Sequence, residues 1–572
     1  MRVRFLLIII LASLLQPCRA IITPTIKREV RAVWLTTLGG LDWPHTKVRD
    51  ARSAEEQKRE LCITLDKIQQ ANFNTVFFQT RIRSTVIYPS LLEPWDACLT
   101  GQPNKSPGYD PLAFAIEECH KRGLQLHAWV VAFPGHNFKT ANALGKYAMQ
   151  KRVPSLCIKT KDFWMLNPGM PGTADYLSDI CKEIIHNYDV DGIHLDYIRY
   201  PEHSIHFNDE HTYRKYGNKL RRDEWRRRNV THIVETIHDA IKSLKPWVWL
   251  SCSPVGKRDD LPRQSSRGWN AYRTVFQDAG MWLQNGIMDM LVPMMYFQAG
   301  NNFYPFALDW KECSNERPVV NGLAAYKLDS REGNWDLGVI EKEVRFSRSI
   351  QSGGQAYFRS QYITNNQKGV YNFLQHDFYK TPALTPAMTW QSPAQPRQPQ
   401  NLRLIRDKSG YILTWDTVAS SDTNSIRYNI YSSYDTPIDT DNGTCLMSTW
   451  QKATTYSIKL DISPNLLPCY AITAINRYGV ESEPAYINTT TTQSAREPSV
   501  TGGQLELSAD GRLLLPESDA QFILVNDVTQ RTVMTSPYTR TLDLSHLPTG
   551  KYTIYALKKK GRYHLLGRFD KP

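Results

Sequence analysis

From Glu29 to about Tyr379, short apolar runs alternate with longer stretches of helical periodicity, the pattern of repeated βα units. Eight runs read as strands: Val30 to Thr36, Thr75 to Thr80, Gln125 to Val131, Gly192 to Ile198, Val248 to Ser253, Met290 to Tyr296, Val319 to Ala325 and Gln355 to Arg359. Before the third run, Leu112 to His120 has apolar residues at helical spacing and Lys121-Arg122-Gly123 is a helix stop; Tyr176 to Tyr188 plays the same part before the fourth. This spacing predicts an α/β chain whose residues 27–380 form a (β/α)8 TIM barrel with long loops. An open doubly wound sheet is the rival, but no glycine-rich phosphate loop follows the first run.

Past the barrel the pattern changes. Residues 381–397 are rich in Pro, Gln, Ser and Thr and read as a linker. Residues 398–493 alternate as β-strands, notably Leu402 to Trp415, Tyr428 to Tyr431 and Tyr470 to Ile475. With Trp415 and Tyr470 at the places of a buried strand tryptophan and a corner tyrosine, this block resembles a fibronectin type III domain. Cys445 and Cys469 within it are the expected disulfide, if the chain has one. Residues 502–572 predict a small β-domain, and Leu547 to Tyr552 leads into a final hairpin that resembles the C-terminal sorting modules of some exported Bacteroidetes proteins. At the other end, Arg2 and Arg4 precede the apolar run Phe5 to Leu15 and a Cys18-Arg19-Ala20 cleavage site. Residues 1–20 therefore predict a signal peptide and an exported protein, since the run is short of the roughly 20 residues a membrane span needs.

Composition narrows the partners. A net charge of +13, reduced by three once the signal arginines go, is mild for 572 residues. Arg221, Arg222, Arg226, Arg227 and Arg228 are interleaved with Asp223 and Glu224, which reads as a solvated helix face rather than a nucleic-acid surface. No nucleic acid, no cofactor and no integral membrane segment after signal cleavage are expected.

In a TIM barrel the chemistry lies where the strands end. The fourth run is the densest in polar groups, and its period of two puts His194 and Asp196 on one face, Asp196 nearer the mouth. A carboxyl within an apolar strand is costly to bury and points to function. Asp191 and Asp289 precede their strands and belong at the opposite end. The other candidates are Asp42 and Trp43 after the first strand, Gln79 and Arg81 at the second, His127 and Trp129 on the third, and Arg199, Tyr200 and Glu202 after the fourth. Trp95, Tyr109 and Tyr296 join Trp43, Trp129 and Tyr200 as flat rings suited to sugar faces. Glycoside hydrolysis uses two carboxyls; Asp196 is the first, and Glu202, Asp42 or Asp96 the second, with Glu202 closest in chain.

Glu29 to Thr36, Asp42-Trp43-Pro44, Phe77 to Arg81, Tyr88-Pro89-Ser90, Glu93-Pro94-Trp95, Pro107 to Leu112, Asn167-Pro168-Gly169, Asp191 to Pro201, Ser253 to Gly256 and Met288 to Tyr296 follow one another in an order that resembles the glycosyl-hydrolase-like family ten. The resemblance implies an exported bacterial glycosidase barrel acting on peptidoglycan glycan strands or a related acetamido polysaccharide, with Asp196 at the catalytic strand-four position. Two departures stand out: many members carry a second aspartate where this chain has Tyr197, and an Asn-Pro-Phe-Arg run where it has Ala132 to His136. Arg81 and Arg199 are expected to bind substrate oxygens or a muramic acid carboxylate. The competing functions are a non-catalytic glycan-binding protein and a metal-dependent deacetylase, for which His127, His136, His194 and Asp196 would have to converge without any His-x-His or His-Glu-x-x-His spacing.

Overall fold

A computed structural model describes residues 26–407, 410–419, 426–458, 468–487 and most of 505–571, apart from 203, 204, 267, 299, 301 and 435. The expected signal peptide lies outside the described residues. Each of the eight expected runs overlaps a parallel strand, the second strand ending one residue later and the eighth starting one residue earlier than expected: β1 Val30–Leu35, β2 Thr75–Arg81, β3 Gln125–Val131, β4 Gly192–Asp196, β5 Trp249–Cys252, β6 Met290–Leu291, β7 Val320–Leu323 and β8 Gly354–Tyr357. They pair in the order β7-β8-β1-β2-β3-β4-β5-β6, and bridges from Leu291 to Val319 and from Met294 to Gly322 bring the two edges together as a (β/α)8 barrel.

Local chemistry starts the outer helices, the second of which falls where the spacing predicts it. Helix α1 (Ala51–Gln70) opens on a capping box in which Asp50 accepts from the Ser53 amide at 2.8 Å, and it buries Leu61, Leu65 and Ile68. Helix α2 (Pro111–Lys121) has Asp110 as its cap and Pro111 at the first turn, and it ends before Gly123, whose φ of +69° suits the left-handed exit. The interior is filled mainly by Ala32, Trp34, Phe77, Trp129, Val131, Trp249, Met290 and Val320. The register links Trp129, His194 and Ser251 across β3, β4 and β5. A Cβ on Gly192 would lie 2.5 Å from the His127 ring, so the small residue there makes room for that histidine.

The expected linker 381–397 is not free chain over its first ten residues. Ala383, Leu384, Thr385 and Met388 are buried, Met388 joins the barrel-interior cluster, and the Trp390 indole donates to Asp289 at 3.0 Å. This segment plugs the floor of the barrel because the interior bottom layer is apolar and needs a cover.

The next block forms a three-stranded sheet (Arg403–Asp407, Gly410–Thr414, Thr455–Ile458) and a four-stranded one (Leu446–Gln451, Arg427–Ser433, Cys469–Ile475, Ala485–Tyr486) around a shared core that includes Trp415 and Tyr470. It docks on the barrel floor. Glu481 accepts from Lys27 and Arg28, each at 2.8 Å, and Arg477 pairs with Asp189 at 2.9 Å. Cys445 is buried, Cys469 exposed, and both are free thiols, so the expected disulfide is absent. The last block packs a four-stranded antiparallel sheet, with Gly550–Lys558 and Arg562–Lys571 as its final hairpin, over Leu513, Ile523, Ile554 and Phe569. Among the described residues no helix is long and apolar enough to cross a membrane.

Candidate active site

Asp196 is the last residue of β4 and 7% exposed. Its Oδ1 accepts from the Ser253 hydroxyl at 2.9 Å and the Tyr197 amide at 2.8 Å, and its Oδ2 from the Trp129 indole at 3.1 Å. All three donors are neutral. Burial pushes the carboxyl above its ordinary pKa, and Ser253, the Arg199 charge, the Tyr197 amide and Trp129 offset only part of that rise. A strand-end carboxyl with an elevated pKa at a barrel mouth is the arrangement of a proton donor.

The chain leaves β4 under strain: Tyr197 has a φ of +50°, which turns its amide back onto Asp196. Its ring is 41% exposed. The Arg199 guanidinium, 6% exposed, lies between the Tyr197 ring at 4.7 Å and the Trp269 ring at 4.9 Å. Glu202, half-exposed, approaches Arg199 at 3.6 Å. Tyr296 packs on Tyr326 and Phe358, and Asp196 acts electrostatically on its phenol. The mouth thus gathers Asp196, Trp129, Arg199, Glu202 and Tyr296 from the predicted set. Ser253, Tyr197, Trp269 and Phe358 are added by the structure. Ser253 closes the fifth apolar run, and a polar residue there was signal enough to find it; Trp269 sits in a long loop with no periodic cue.

The remaining candidates are structural. Arg81 is fully buried, forked onto Glu93 at 2.7 and 2.8 Å, with Ser84 and the carbonyls of Val131 and Ala132 taking its other donors. Burial alone would raise Glu93, but Arg81, Arg152 and Tyr176 hold it below the usual range, so the pair is ionised and closed to substrate. Asp42 binds Arg359 and accepts the Thr36 and Gln361 amides at 2.8 and 3.1 Å, which ties the loop after β1 to the chain after β8. Gln79 accepts the Thr37 and Leu38 amides at 3.0 and 2.8 Å. Asp96 caps a turn through Thr85 and Cys98. Trp43 is wholly buried and donates to the Gln57 carbonyl, Tyr109 donates to the Gln57 side chain, Trp95 packs on the core, and Tyr200 is buried against Phe207 and Phe276. These rings fill the spaces under long loops, a need that composition does not distinguish from sugar stacking.

The histidines lie below the mouth or beside it. His194 stacks on Phe77 at 4.1 Å, takes the Trp34 indole on Nε2 at 3.1 Å and meets Ser251 at Nδ1 at 2.9 Å. Burial keeps it neutral, and it brings both His127 and His136 down to about 4. Among the described residues no three His, Cys, Asp or Glu side chains group as metal ligands.

This strand-end constellation is set in a chain whose residues 29–333 match the family model described as glycosyl hydrolase-like 10. The chain belongs to that family. As a glycosyl hydrolase-like 10 barrel it is a glycan-acting protein. Its relatives include "Glycosyl hydrolase YngK" of Bacillus subtilis, 32% identical over 431 residues that cover 72% of this chain and 84% of that one. They also include "Glycosyl hydrolase DigH" of Escherichia coli, 29% identical over 377 residues that cover 59% and 85%. Among solved structures, the glycoside hydrolase domain of PgaB from Bordetella bronchiseptica aligns with a TM-score of 0.43 at 13% identity, covering 61% of this chain and 98% of that domain.

Proposed function

We propose that the protein is an exported glycoside hydrolase that cleaves O-glycosidic bonds in peptidoglycan glycan strands or a related acetamido polysaccharide. The observation that carries the reading is Asp196: a buried strand-end carboxyl held by neutral donors and placed beside exposed aromatic rings. In this reading Asp196 gives its proton to the leaving glycosidic oxygen as the bond from that oxygen to C1 breaks. Glu202, the candidate left once Asp42 and Asp96 are engaged elsewhere, takes a proton from the water whose oxygen bonds to C1. The Tyr197 amide, Ser253 and the buried Trp129 indole hold the carboxyl in place, and Tyr197, Trp269 and Tyr296 offer rings to the sugar.

The appended sandwich is read as a fibronectin type III-like domain, supported by its three-plus-four strand arrangement and the buried Trp415 and Tyr470. Its place is structural, on the barrel floor, away from Asp196. The last block is a candidate sorting module.

The test is to incubate purified protein lacking residues 1–20 with defined glycans, including peptide-free peptidoglycan strands and chitin oligomers, and to identify products by mass spectrometry. New reducing ends from wild-type protein and none from Asp196→Asn are expected. Tight binding with no product from either protein would instead make this a glycan-binding barrel.

A further inference from the structure

The barrel mouth holds more positive charge than proton transfer needs. Arg81, expected there from the sequence, is buried against Glu93, but Arg83, two residues on, is exposed. No ion pair is found for Arg83 among the described residues, and its charge reaches the Tyr197 phenol. Arg199 is the second cation. Its Nε is buried and has no acceptor among the described residues, and Glu202 stands 3.6 Å from Nη1, too far for a hydrogen bond.

We propose that Arg83 and Arg199, with the Tyr197 and Trp269 rings, form an anion-reading subsite beside Asp196 that holds a sugar carboxylate. The inference rests on the mouth being the glycan cleft. Stacking at 4.7 and 4.9 Å on two rings fixes the plane of the Arg199 guanidinium, so little freedom is lost when a planar anion docks against it. Other arginines of the barrel are hydrogen-bonded to their carboxylates, whereas Arg199 meets Glu202 only at 3.6 Å: Arg81 has Glu93, Arg222 and Arg226 share Asp209, Arg258 has Asp309 and Arg359 has Asp42. A buried guanidinium donor without an acceptor is unfavourable until one arrives, and a carboxylate supplies both charge and acceptors. Tyr197 and Trp269, 41% and 40% exposed, have the open faces against which a pyranose ring would lie. The residue that departs from the family's paired aspartates, Tyr197, is then the element that seats Arg199, and an acid at that position would compete with the substrate's own carboxylate for it.

The rival account is that Arg199 only tunes Asp196, in which case substrate charge is irrelevant. Peptide-free glycan strands with free lactyl carboxylates are compared with the same strands after their carboxyls are reduced to alcohols. For wild-type protein, Arg83→Gln, Arg199→Gln and Arg199→Lys, kcat/KM on each strand and its pH profile are measured. The charged-to-reduced preference is expected to fall about tenfold in Arg83→Gln and further in Arg199→Gln, carried by KM. Arg199→Lys, which keeps charge but loses the fork, is expected to recover only part. An unchanged preference in Arg83→Gln and Arg199→Gln, or a shifted pH profile with equal loss on both strands, overturns the proposal. Arg83 is exposed and its variant is expected to fold, so the Arg83→Gln arm decides even if the Arg199 variants do not. Calorimetric Kd values for the same strand pair keep the two readings apart: a wild-type protein that cleaves nothing refutes the hydrolase reading, while loss of charge preference in binding still tests this one.

Discussion

Asp191 and Asp196 bracket the same strand and are almost equally buried, at 8% and 7%, yet their charges are treated in opposite ways. At the floor, Asp191 meets His120 at 2.9 Å, Arg477 at 3.5 Å and the Leu126 amide at 2.9 Å. Burial would raise it, but these partners hold it far below the carboxylate range. Nearby Glu481 behaves alike: burial is outweighed by Arg28, Lys27 and Tyr431, and its pKa falls to about 2. At the mouth, Asp196 receives only neutral donors and moves upward. Burial alone therefore does not make a reactive carboxyl; burial without a close countercharge does. The floor has its charges neutralised and joins domains, while at the mouth the Asp196 carboxyl is held by neutral groups.

The sharpest way to break this comparison is Asp196→Asn. A lost general acid lowers turnover by roughly a hundredfold to ten-thousandfold, and because Asp196 has no ion pair among the described residues the melting temperature is expected to stay close to wild type. Near-normal turnover on glycan strands would remove Asp196 from catalysis. Its raised pKa means the acid form persists above pH 3.8, so the alkaline limb of the pH–rate profile is expected above that value and to vanish with the carboxyl.

Truncation probes the floor next. A barrel ended at residue 380 loses Leu384, Met388 and Trp390 from its base, and is expected to melt well below one ended after the plug or to be insoluble. Equal melting of the two truncations would show that the plug is dispensable.

Arg477→Ala leaves the buried Asp191 and the half-exposed Asp189 short of a partner, at a cost of roughly 3 kcal/mol in denaturant unfolding that comes mainly from Asp191. Turnover per folded molecule is expected to be unaffected. Linkage gives the pH window: Glu481 contributes fully above pH 4.5, and its contribution is lost as pH falls toward about 2. Melting curves that do not steepen in acid over that range would contradict the clamp.

The smallest effect concerns a third kind of carboxyl. Glu343, on the helix Leu337–Ser349, is wholly buried with no hydrogen-bond partner for either oxygen among the described residues, and burial raises it well above 4.5. Rising pH above 4.5 therefore costs stability until the folded-state pKa is passed. Replacing it by Leu is expected to stabilise the barrel by about 1–3 kcal/mol at neutral pH, read from urea midpoints. A destabilised variant would mean that the carboxyl is satisfied there.

Much of this was legible in the chain. Strand positions, the placement of Asp191 and Asp289 at the floor and of Asp196 at the mouth all follow from period-two alternation and the rule that reactive groups close barrel strands. Trp43, Tyr109 and Tyr200 misled because an aromatic beside a strand end has the same local signature whether it fills a loop or faces a cleft. Arg81 misled for a related reason: its partner Glu93 lies in a loop whose return path leaves no periodic trace.

What the sequence determined by itself was the order of elements and the end of the barrel at which each polar residue sits, since both depend on neighbours along the chain. What only the tertiary structure decided was which charges are paired. Arg477 reaches Asp191 across 286 positions and Arg359 reaches Asp42 across 317, while Arg199 is seated by a ring from a loop after the next strand. A carboxyl's ionisation depends on what lies within a few ångströms in space, and chain closure of a barrel brings together groups whose sequence separation carries no information about that distance.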